Sequence, residues 1–241
     1  MTEAVQKLQA LVDRSRRIVF FGGAGVSTES GIPDFRSTGG LYHQEWAYPP
    51  ETILSHSFFM RNPAEFYRFC RAKLYVTGVK PNAAHYALAK LEERGRLTAV
   101  VTQNIDGLHQ AAGSRNVLEL HGSVYRNHCM KCGQSYPYEF MTACKDVPVC
   151  TTCGGIIKPD VVLYEESLDN RVITESVRNI AGADMLIIGG TSLVVYPAAG
   201  LVNYFNGDSL VIINKSPTGE DRRATLLITE PIGEVFAALK I

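Results

Sequence analysis

The chain has 241 residues, of which 46% are hydrophobic, so it can bury the core of one large domain, with or without a small insert. Its 24 lysines and arginines balance 24 aspartates and glutamates, which argues against general nucleic-acid binding by phosphate neutralisation. Apolar runs such as residues 185–188 are far too short to span a membrane, and residues 1–16 resemble an amphipathic helix rather than a secretion signal. These features predict a soluble, cytoplasmic protein.

Strand-like runs alternate with helical patterns along the chain. The runs lie at residues 17–21, 98–102, 185–188, 209–213 and 225–228, and a helix is predicted over residues 82–94. This alternation indicates α/β architecture. Two stretches interrupt it: residues 38–80 are aromatic and punctuated by prolines, and residues 123–155 contain five of the six cysteines. We interpret both as insertions on the main sheet.

A glycine-rich stretch, residues 22–36 (GGAGVSTESGIPDFR), follows the first predicted strand. Glycines such as Gly22 and Gly25 let a backbone approach a dinucleotide pyrophosphate, and the amides of residues 26–28 could point at it from a helix start. Pro33 forbids the long helix of a dehydrogenase fingerprint, and no ribose-binding acid follows about 20 residues later on a second strand. The stretch therefore predicts a nucleotide site unlike that of an ordinary hydride-transfer enzyme.

Two CxxC pairs lie in the second insertion. Cys129 and Cys132 are separated from Cys150 and Cys153 by 17 residues, a spacing typical of a zinc ribbon. Four thiolates complete a tetrahedral zinc site without leaving a position for water, so the metal is predicted to be structural. Disulfides are disfavoured without a secretion signal, and a redox motif is disfavoured because the pair recurs. The other two cysteines receive no role.

Polar residues follow the later strands at their carboxyl ends, where the glycine-rich stretch also lies. Residues 102–109 (TQNIDGLH) follow the second strand, residues 189–197 (GGTSLVVYP) follow the third, and Asn214 follows the fourth. His121, in LELHGS, could act as a general base because its unperturbed pKa is near neutral, although a lone histidine is more often structural. The pattern predicts a crevice lined by amide, hydroxyl and carboxylate groups.

Taken together, these motifs resemble those of the sirtuin family, NAD-dependent protein deacylases, in order and approximate spacing over nearly the whole chain, and the chain is similar to bacterial sirtuins. The resemblance implies a Rossmann-like parallel sheet domain formed by residues 1–37, 81–122 and 156–241. It also implies a smaller lobe made of a helical module, residues 38–80, and a zinc ribbon, residues 123–155. NAD and an acyl-lysine would meet in the cleft between them.

The resemblance also implies the reaction. The acyl oxygen of a modified lysine would displace nicotinamide from NAD, and a ribose hydroxyl would then capture the acyl group, giving free lysine, nicotinamide and O-acyl-ADP-ribose. His121 matches the family's catalytic base, and Asn104 matches the residue that contacts the ribose and helps to order the nucleophile. Both are also implied NAD contacts, together with Gly22, Ala24, Gly25, Thr28, Phe35, Arg36, Gln103, Ile105, Asp106, Gly190, Thr191, Ser192, Asn214 and Ile232.

Within this set, Asp106 and the Ile105 backbone would hold the nicotinamide carboxamide, and Phe35 would shield the reacting carbon. A substrate peptide would lie extended between residues 161–165 and 193–196 and pair with their main chains. The implied peptide contacts are Val161, Val162, Tyr164, Val194 and Val195.

Three residues in two places depart from the family pattern. Family members often carry phenylalanine and glycine where this chain has Tyr164 and Glu165, so the peptide-pairing loop is expected to differ, and Glu165 is hypothesised to favour basic residues beside the target lysine. Members that prefer succinyl- or malonyl-lysine carry a tyrosine followed three residues later by arginine. Here Tyr67 is followed by Cys70, with Arg71 adjacent, which predicts a preference for acetyl or neutral longer acyl groups.

Two other functions stay open on the sequence. Transfer of ADP-ribose to protein would use the same NAD cleavage, whereas a zinc-ribbon module that only holds a nucleotide would need no catalytic base. The predicted partners are acyl-lysine proteins, with neither a specific nucleic acid nor a membrane, and the oligomeric state stays open.

Overall fold

The computed structural model describes residues 2–35 and 46–241. Within these ranges the strands are β1 Ile18–Gly22, β2 Leu97–Thr102, β3 Val117–Glu119, β4 Gly122–Cys129, β5 Ser135–Tyr136, β6 Ile157–Val161, β7 Met185–Gly189, β8 Ser209–Ile213 and β9 Leu226–Ile228. The α-helices are α1 Glu3–Arg14, α2 Pro50–Ile53, α3 His56–Arg61, α4 Pro63–Phe69, α5 Ala83–Glu93, α6 Leu108–Ala111, α7 Tyr138–Ala143, α8 Asn170–Gly182 and α9 Ile232–Ala237. None of the helices in this described part of the chain is long and apolar enough to cross a membrane.

The main sheet has six parallel strands in the order β3-β2-β1-β7-β8-β9. From β1 the chain first builds one side of the sheet and then crosses to build the other, so the strand order reverses between β1 and β7. In the register of the sheet, Gly22 at the end of β1 lies beside both Thr102 and Gly189. Ligands of open α/β sheets bind at such a reversal, outside the carboxyl ends of the strands. The Rossmann-like prediction is confirmed.

Both faces of this sheet are covered, which explains its continuous apolar strands. Along β1, Ile18 and Phe20 pack with residues of α1, α5 and α9, whereas Val19 and Phe21 pack with residues of α8 on the opposite face. The alternation follows from the two-residue period of a strand. Within the helical layer, α5 begins where the Asn82 side chain accepts a hydrogen bond from the Ala84 N–H at 3.0 Å.

The smaller lobe has its own antiparallel sheet, β5-β4-β6, and its own core. That core includes buried aromatic side chains from α3 and α4, namely Phe58, Phe59, Phe66, Tyr67 and Phe69. The strand β6 pairs with β4, with Ile157 beside Cys129. Residues 157–161 therefore lie in the small-lobe sheet, although the sequence prediction assigned residues from 156 onward to the large domain.

Two histidines are buried together in the large-domain core. His85 on α5 and His109 on α6 have ring centroids 4.7 Å apart, and the Phe20 ring lies 6.0 Å from His109. Burial lowers the pKa of His85 to about 4. Burial, reinforced by the neighbouring His85, lowers the pKa of His109 to about 3. Both imidazoles are therefore neutral in the folded protein at neutral pH.

This pair predicts acid sensitivity of the fold. As the pH falls below 6.5, these two histidines become protonated in the unfolded chain but stay neutral in the folded protein. The free energy of unfolding therefore decreases until the pH reaches the folded pKa values. Each histidine contributes up to about 1.4 kcal/mol per pH unit. We expect the free energy of unfolding of His109→Leu, measured by urea denaturation, to decrease less steeply between pH 6.5 and 4 than that of the original chain. Parallel pH curves for the variant and the original chain would contradict this expectation.

Candidate active site

The loops after β1 and β7 touch each other through glycines. The Gly25 N–H donates to the Gly190 carbonyl at 2.8 Å, and Gly190 has a φ of 58°, in the left-handed region. A Cβ atom at Gly190 would overlap the Val26 amide nitrogen, so a larger residue would force the loops apart. The loop after β2 joins them through Gln103, whose side-chain amide donates to the Thr191 hydroxyl at 3.0 Å. Three predicted nucleotide loops therefore meet at one edge of the sheet.

The glycine-rich stretch differs in detail from the predicted helix start. It forms two 3₁₀ turns, Ala24–Val26 and Thr28–Ser30. The N–H groups of Val26 and Ser27 donate to carbonyls within the stretch, at 3.0 and 3.1 Å, so they are committed to the backbone rather than to a ligand. This corrects the expectation for those two amides. The short turns stand where a dehydrogenase has a long helix, in agreement with the prediction from Pro33.

A buried hydroxyl connects the glycine-rich stretch to the polar residues after β2. Ser27 is 1% exposed, and its Oγ donates to the Asp106 carboxylate at 2.6 Å and accepts from the Asn104 side-chain amide at 3.2 Å. Burial raises the pKa of the Asp106 carboxyl, and hydrogen bonds from Ser27 and from the Leu108 N–H partly oppose that rise. Sequence reasoning missed the Ser27 hydroxyl, because only contact in space links it to the TQNIDGLH motif.

Ser27→Ala tests this connection. Loss of a hydrogen bond to a charged group, about 1.5–3 kcal/mol, is expected to lower kcat/KM for NAD by about 10- to 100-fold, because Asn104 and Asp106 lose their shared partner. Steady-state kinetics at varied NAD measures this. Ser30→Ala is the matched control, since that hydroxyl accepts a hydrogen bond from Asn82 instead. Equal effects of the two variants would contradict the role given to Ser27.

His121 lies in the connection between β3 and β4. Its Nδ1 is 3.0 Å from the Gln103 carbonyl oxygen. A carbonyl can only accept, so Nδ1 carries the proton and Nε2 keeps its lone pair. Burial lowers the pKa of His121, and the hydrogen bond to Gln103 partly opposes that shift. The next residue, Gly122, has a φ of 74°, and a Cβ there would overlap the Asp160 carbonyl. The imidazole of His121 is thus fixed in orientation, and its lowered pKa favours the neutral form.

Residues after β7 and β8 lie on the other side of the reversal point. After β7, Thr191 is buried and Gly190 and Ser192 are half-buried; Ala24, which follows β1, is half-buried as well. Asn214 follows β8 directly, and its side-chain amide donates to the Ser216 carbonyl at 2.7 Å. Ile232 is 5% exposed and packs within the main core near Gly189, so its side chain is not available to a nucleotide. Any NAD contact of Ile232 therefore falls to its main chain.

Two of the expected NAD contacts lie where the two cores adjoin. Phe35 and Ile105 are half-buried against the small-lobe core. Within the glycine-rich stretch, the Thr28 hydroxyl donates to the Gly25 carbonyl at 3.0 Å. Arg36 lies outside the described residues. The residues at the strand ends of the main sheet therefore adjoin the small-lobe core.

The four predicted metal ligands form one cluster. The sulfur atoms of Cys129, Cys132, Cys150 and Cys153 all lie within 4.8 Å of one another. The Cys129 and Cys153 sulfurs are 3.4 Å apart, too far for a disulfide bond of about 2.05 Å. Zinc–sulfur bonds of about 2.3 Å in a tetrahedron fit this spacing. The Tyr136 hydroxyl donates to the Cys150 sulfur at 3.1 Å, which further orients that ligand. The cluster is positioned to bind a structural zinc ion.

The first of the expected peptide contacts lie beside His121. The Val162 N–H donates to the His121 carbonyl at 3.0 Å. The N–H of Tyr164 donates to the Leu54 carbonyl at 2.9 Å, and its carbonyl accepts from the His56 N–H at 2.9 Å. Both main-chain hydrogen-bonding groups of Tyr164 are therefore paired with the small lobe. Val161 ends β6, Val194 is exposed and Val195 is half-buried.

The model of the Sir2 family matches residues 23–197. The chain belongs to the Sir2 family. Proteins called NAD-dependent protein deacetylase are 57% identical in Clostridium acetobutylicum and 60% identical in Clostridium perfringens, each alignment covering 98% of both chains. A solved Sir2 structure with a deacetylated p53 peptide and 3′-O-acetyl-ADP-ribose is 39% identical, with a TM-score of 0.90, and covers 97% of this chain and 96% of that one.

One feature of this Sir2 protein runs against expectation. The backbone of Glu165 has a φ of 76°, a left-handed conformation that glycine adopts freely and glutamate is expected to avoid. The loop therefore keeps a conformation suited to glycine while carrying a charged side chain.

Proposed function

We propose that this Sir2 protein removes acetyl groups from protein lysines in an NAD-dependent reaction. The reaction gives free lysine, nicotinamide and O-acetyl-ADP-ribose. Relatives that match nearly the whole chain are named NAD-dependent protein deacetylases, and the similar Sir2 structure holds a deacetylated peptide with an acetylated ADP-ribose. These products favour deacetylation over transfer of ADP-ribose to protein. The observation that carries the proposal is the neutral, oriented imidazole of His121 beside the Asn104–Ser27–Asp106 network.

The proposed roles of the residues in the reaction follow from their positions in the site. His121 Nε2 takes the proton from a ribose hydroxyl, so that this oxygen can attack the acyl carbon, whose own oxygen has already displaced nicotinamide from the ribose. The bond from the acyl carbon to the lysine nitrogen then breaks, the lysine leaves as a free amine, and one water molecule adds to the acyl carbon to complete the ester. Asn104, held by Ser27, orders the ribose and the nucleophile, and Asp106 with the Ile105 backbone holds the nicotinamide carboxamide. Phe35, against the small lobe, covers the reacting carbon and excludes water.

The zinc ion has a structural role in this proposal. When bound, it supplies four metal–thiolate bonds that hold the zinc ribbon together and offers no open position for a substrate. Acyl-lysine proteins are the proposed partners, and the cytoplasmic location stays a prediction.

The helical module supports a preference for acetyl over succinyl groups. The Tyr67 hydroxyl donates to the Ile157 carbonyl, and Cys70 is buried at the position where succinyl-preferring members carry arginine. The guanidinium of Arg71 donates to the Asp146 carbonyl at 2.9 Å, so it faces the zinc ribbon. Within this register, therefore, neither Cys70 nor Arg71 offers a cation to an acidic acyl group. We expect acetyl and neutral longer acyl groups to be preferred.

A panel of peptides that differ only in the acyl group tests this proposal. With NAD present and products followed by mass spectrometry, kcat/KM for acetyl-lysine should exceed that for succinyl-lysine by at least about tenfold, the value of one missing charge-assisted contact. Cys70→Arg should reduce the ratio of kcat/KM for acetyl-lysine to kcat/KM for succinyl-lysine. Faster desuccinylation than deacetylation by the unaltered chain would contradict the preference, and no turnover of any peptide would contradict the function.

A further inference from the structure

The segment that precedes α8 is joined to the small lobe by its main chain. We call residues 161–166 the substrate-side segment, since it carries three of the expected peptide contacts. Tyr164 forms a parallel bridge with Ser55, through hydrogen bonds to Leu54 and His56 of 2.9 Å each. These partners lead directly into α3, which begins at His56. The peptide-side edge of the cleft and the start of α3 are therefore one hydrogen-bonded unit.

Glu165 adds a side-chain connection at the same place. Its carboxylate accepts the Ser57 N–H at 2.8 Å and the Ser57 hydroxyl at 3.0 Å. Ser57 lies in the first turn of α3, where N–H groups have no partner within the helix and favour a negative charge. Glu165 thus acts as a second cap of α3 from a distant part of the sequence, in addition to the N-cap Ser55, whose hydroxyl accepts the Phe58 N–H at 3.2 Å. The cap coincides with the φ of 76°, a conformation that is strained for any residue other than glycine.

The next residue anchors the segment from the other direction. The Glu166 carboxylate lies 2.8 Å from His56 Nδ1, 3.2 Å from Lys158 Nζ, and accepts the Leu163 N–H at 2.8 Å. Burial alone would raise the pKa of Glu166, but the Leu163 N–H, His56 and Lys158 together hold it below its ordinary value. Consecutive carboxylates therefore attach the substrate-side segment to both α3 and β6.

We propose that Glu165 is a positioning residue for the substrate peptide. It holds the substrate-side segment against α3 and so fixes the distance and register of the cleft edge with which a peptide pairs. Both carboxylate oxygens are committed to Ser57, so Glu165 sets geometry rather than reading charges beside the target lysine. This inference rests on the proposed deacetylase function, because it is the peptide of that reaction that would lie along the segment.

Two substitutions separate the contributions of the cap and the backbone. Glu165→Ala removes the cap and keeps the strained φ, whereas Glu165→Gly removes the cap and relieves the strain. We expect both variants to raise KM for acetyl-lysine peptides by about fivefold. Peptides with acidic and with basic residues beside the target lysine should be affected alike. The values of kcat and of KM for NAD should change little. Glu165→Gly should have the higher Tm of the two. Glu139→Ala, an exposed glutamate in the first turn of α7, is the matched control.

A readout independent of activity completes the test. Hydrogen exchange of the Ser57 amide should become at least about tenfold faster in both Glu165 variants and stay unchanged in Glu139→Ala. Unchanged exchange together with an unchanged peptide KM would overturn the proposal. A loss confined to peptides with basic flanks would also overturn it, and would show that Glu165 reads substrate charge.

The two failures are distinguishable. If the unaltered chain deacetylates no peptide, the proposed function fails and the positioning role fails with it. If the unaltered chain deacetylates peptides normally but the Glu165 variants match it in KM and exchange, only the positioning role fails.

Discussion

His121→Ala is expected to lower kcat for deacetylation by about 10²–10⁴-fold, the contribution of a well-placed general base. The hydrogen bond from Nδ1 to the Gln103 carbonyl fixes the imidazole with Nε2 as its only acceptor. NAD affinity should change far less, because the loops from Gly22, Gln103 and Gly190 remain in place. Single-turnover kinetics with an acetyl-lysine peptide, together with NAD titration, measures both quantities.

The pH profile provides an independent check on the same residue. Because burial lowers the pKa of His121, the acid limb of kcat/KM should fall below pH 6.5, with activity kept at neutral pH where the imidazole is unprotonated. His128→Ala is the matched control, since His128 is half-buried in β4 and its Nδ1 lies 2.9 Å from Asp160 Oδ1. An acid limb well above pH 6.5, or near-normal turnover in His121→Ala, would contradict the assignment of the base.

Cys150→Ser is expected to have the largest effect on stability. One thiolate of the four is lost, so the chain should release its zinc, and β4, β5 and β6 should lose the cross-link that joins their ends. Folding of such modules is coupled to metal binding. We therefore expect the free energy of unfolding to decrease by more than about 3 kcal/mol and the small-lobe core to become exposed to solvent. Elemental analysis and urea unfolding measure the two effects.

The one cysteine of the insertion that is not a predicted metal ligand, Cys144, supplies the control. Cys144 is half-buried and lies outside the four-sulfur cluster. Cys144→Ser should keep one zinc ion per chain and nearly the original stability. Retention of zinc by Cys150→Ser, or equal loss of zinc from both variants, would show that the cluster has been assigned wrongly.

The main sheet could be predicted because its signals are local. Strands such as β1 and β8 are short apolar runs bounded by glycine or polar residues, and their predicted limits lie within one residue of those observed. The helix α5 was equally clear, because Asn82 begins it and Gly95, with a φ of 68°, follows its end. The residues at the strand ends then follow from parallel topology, which brings them to one edge.

The small lobe and the finer contacts could not be predicted in the same way. The strand β6 has the sequence IKPDV, in which Pro159 and its charged neighbours obscure the apolar pattern of a strand. A proline is tolerated here because β6 lies at the edge of its sheet. The bond from Ser27 to Asp106 and the cap from Glu165 to Ser57 each join residues far apart in the chain. Such pairs leave no periodic signal, so only the folded arrangement reveals them.

The fate of the acetyl group tests the central proposal most directly. An acetyl-lysine peptide labelled with ¹³C in the acetyl group should be incubated with NAD and the unaltered chain, and the products followed by mass spectrometry. The proposal predicts that the label appears on ADP-ribose, in equal amounts with nicotinamide and deacetylated peptide. Label retained on the peptide while ADP-ribose accumulates on protein would contradict it.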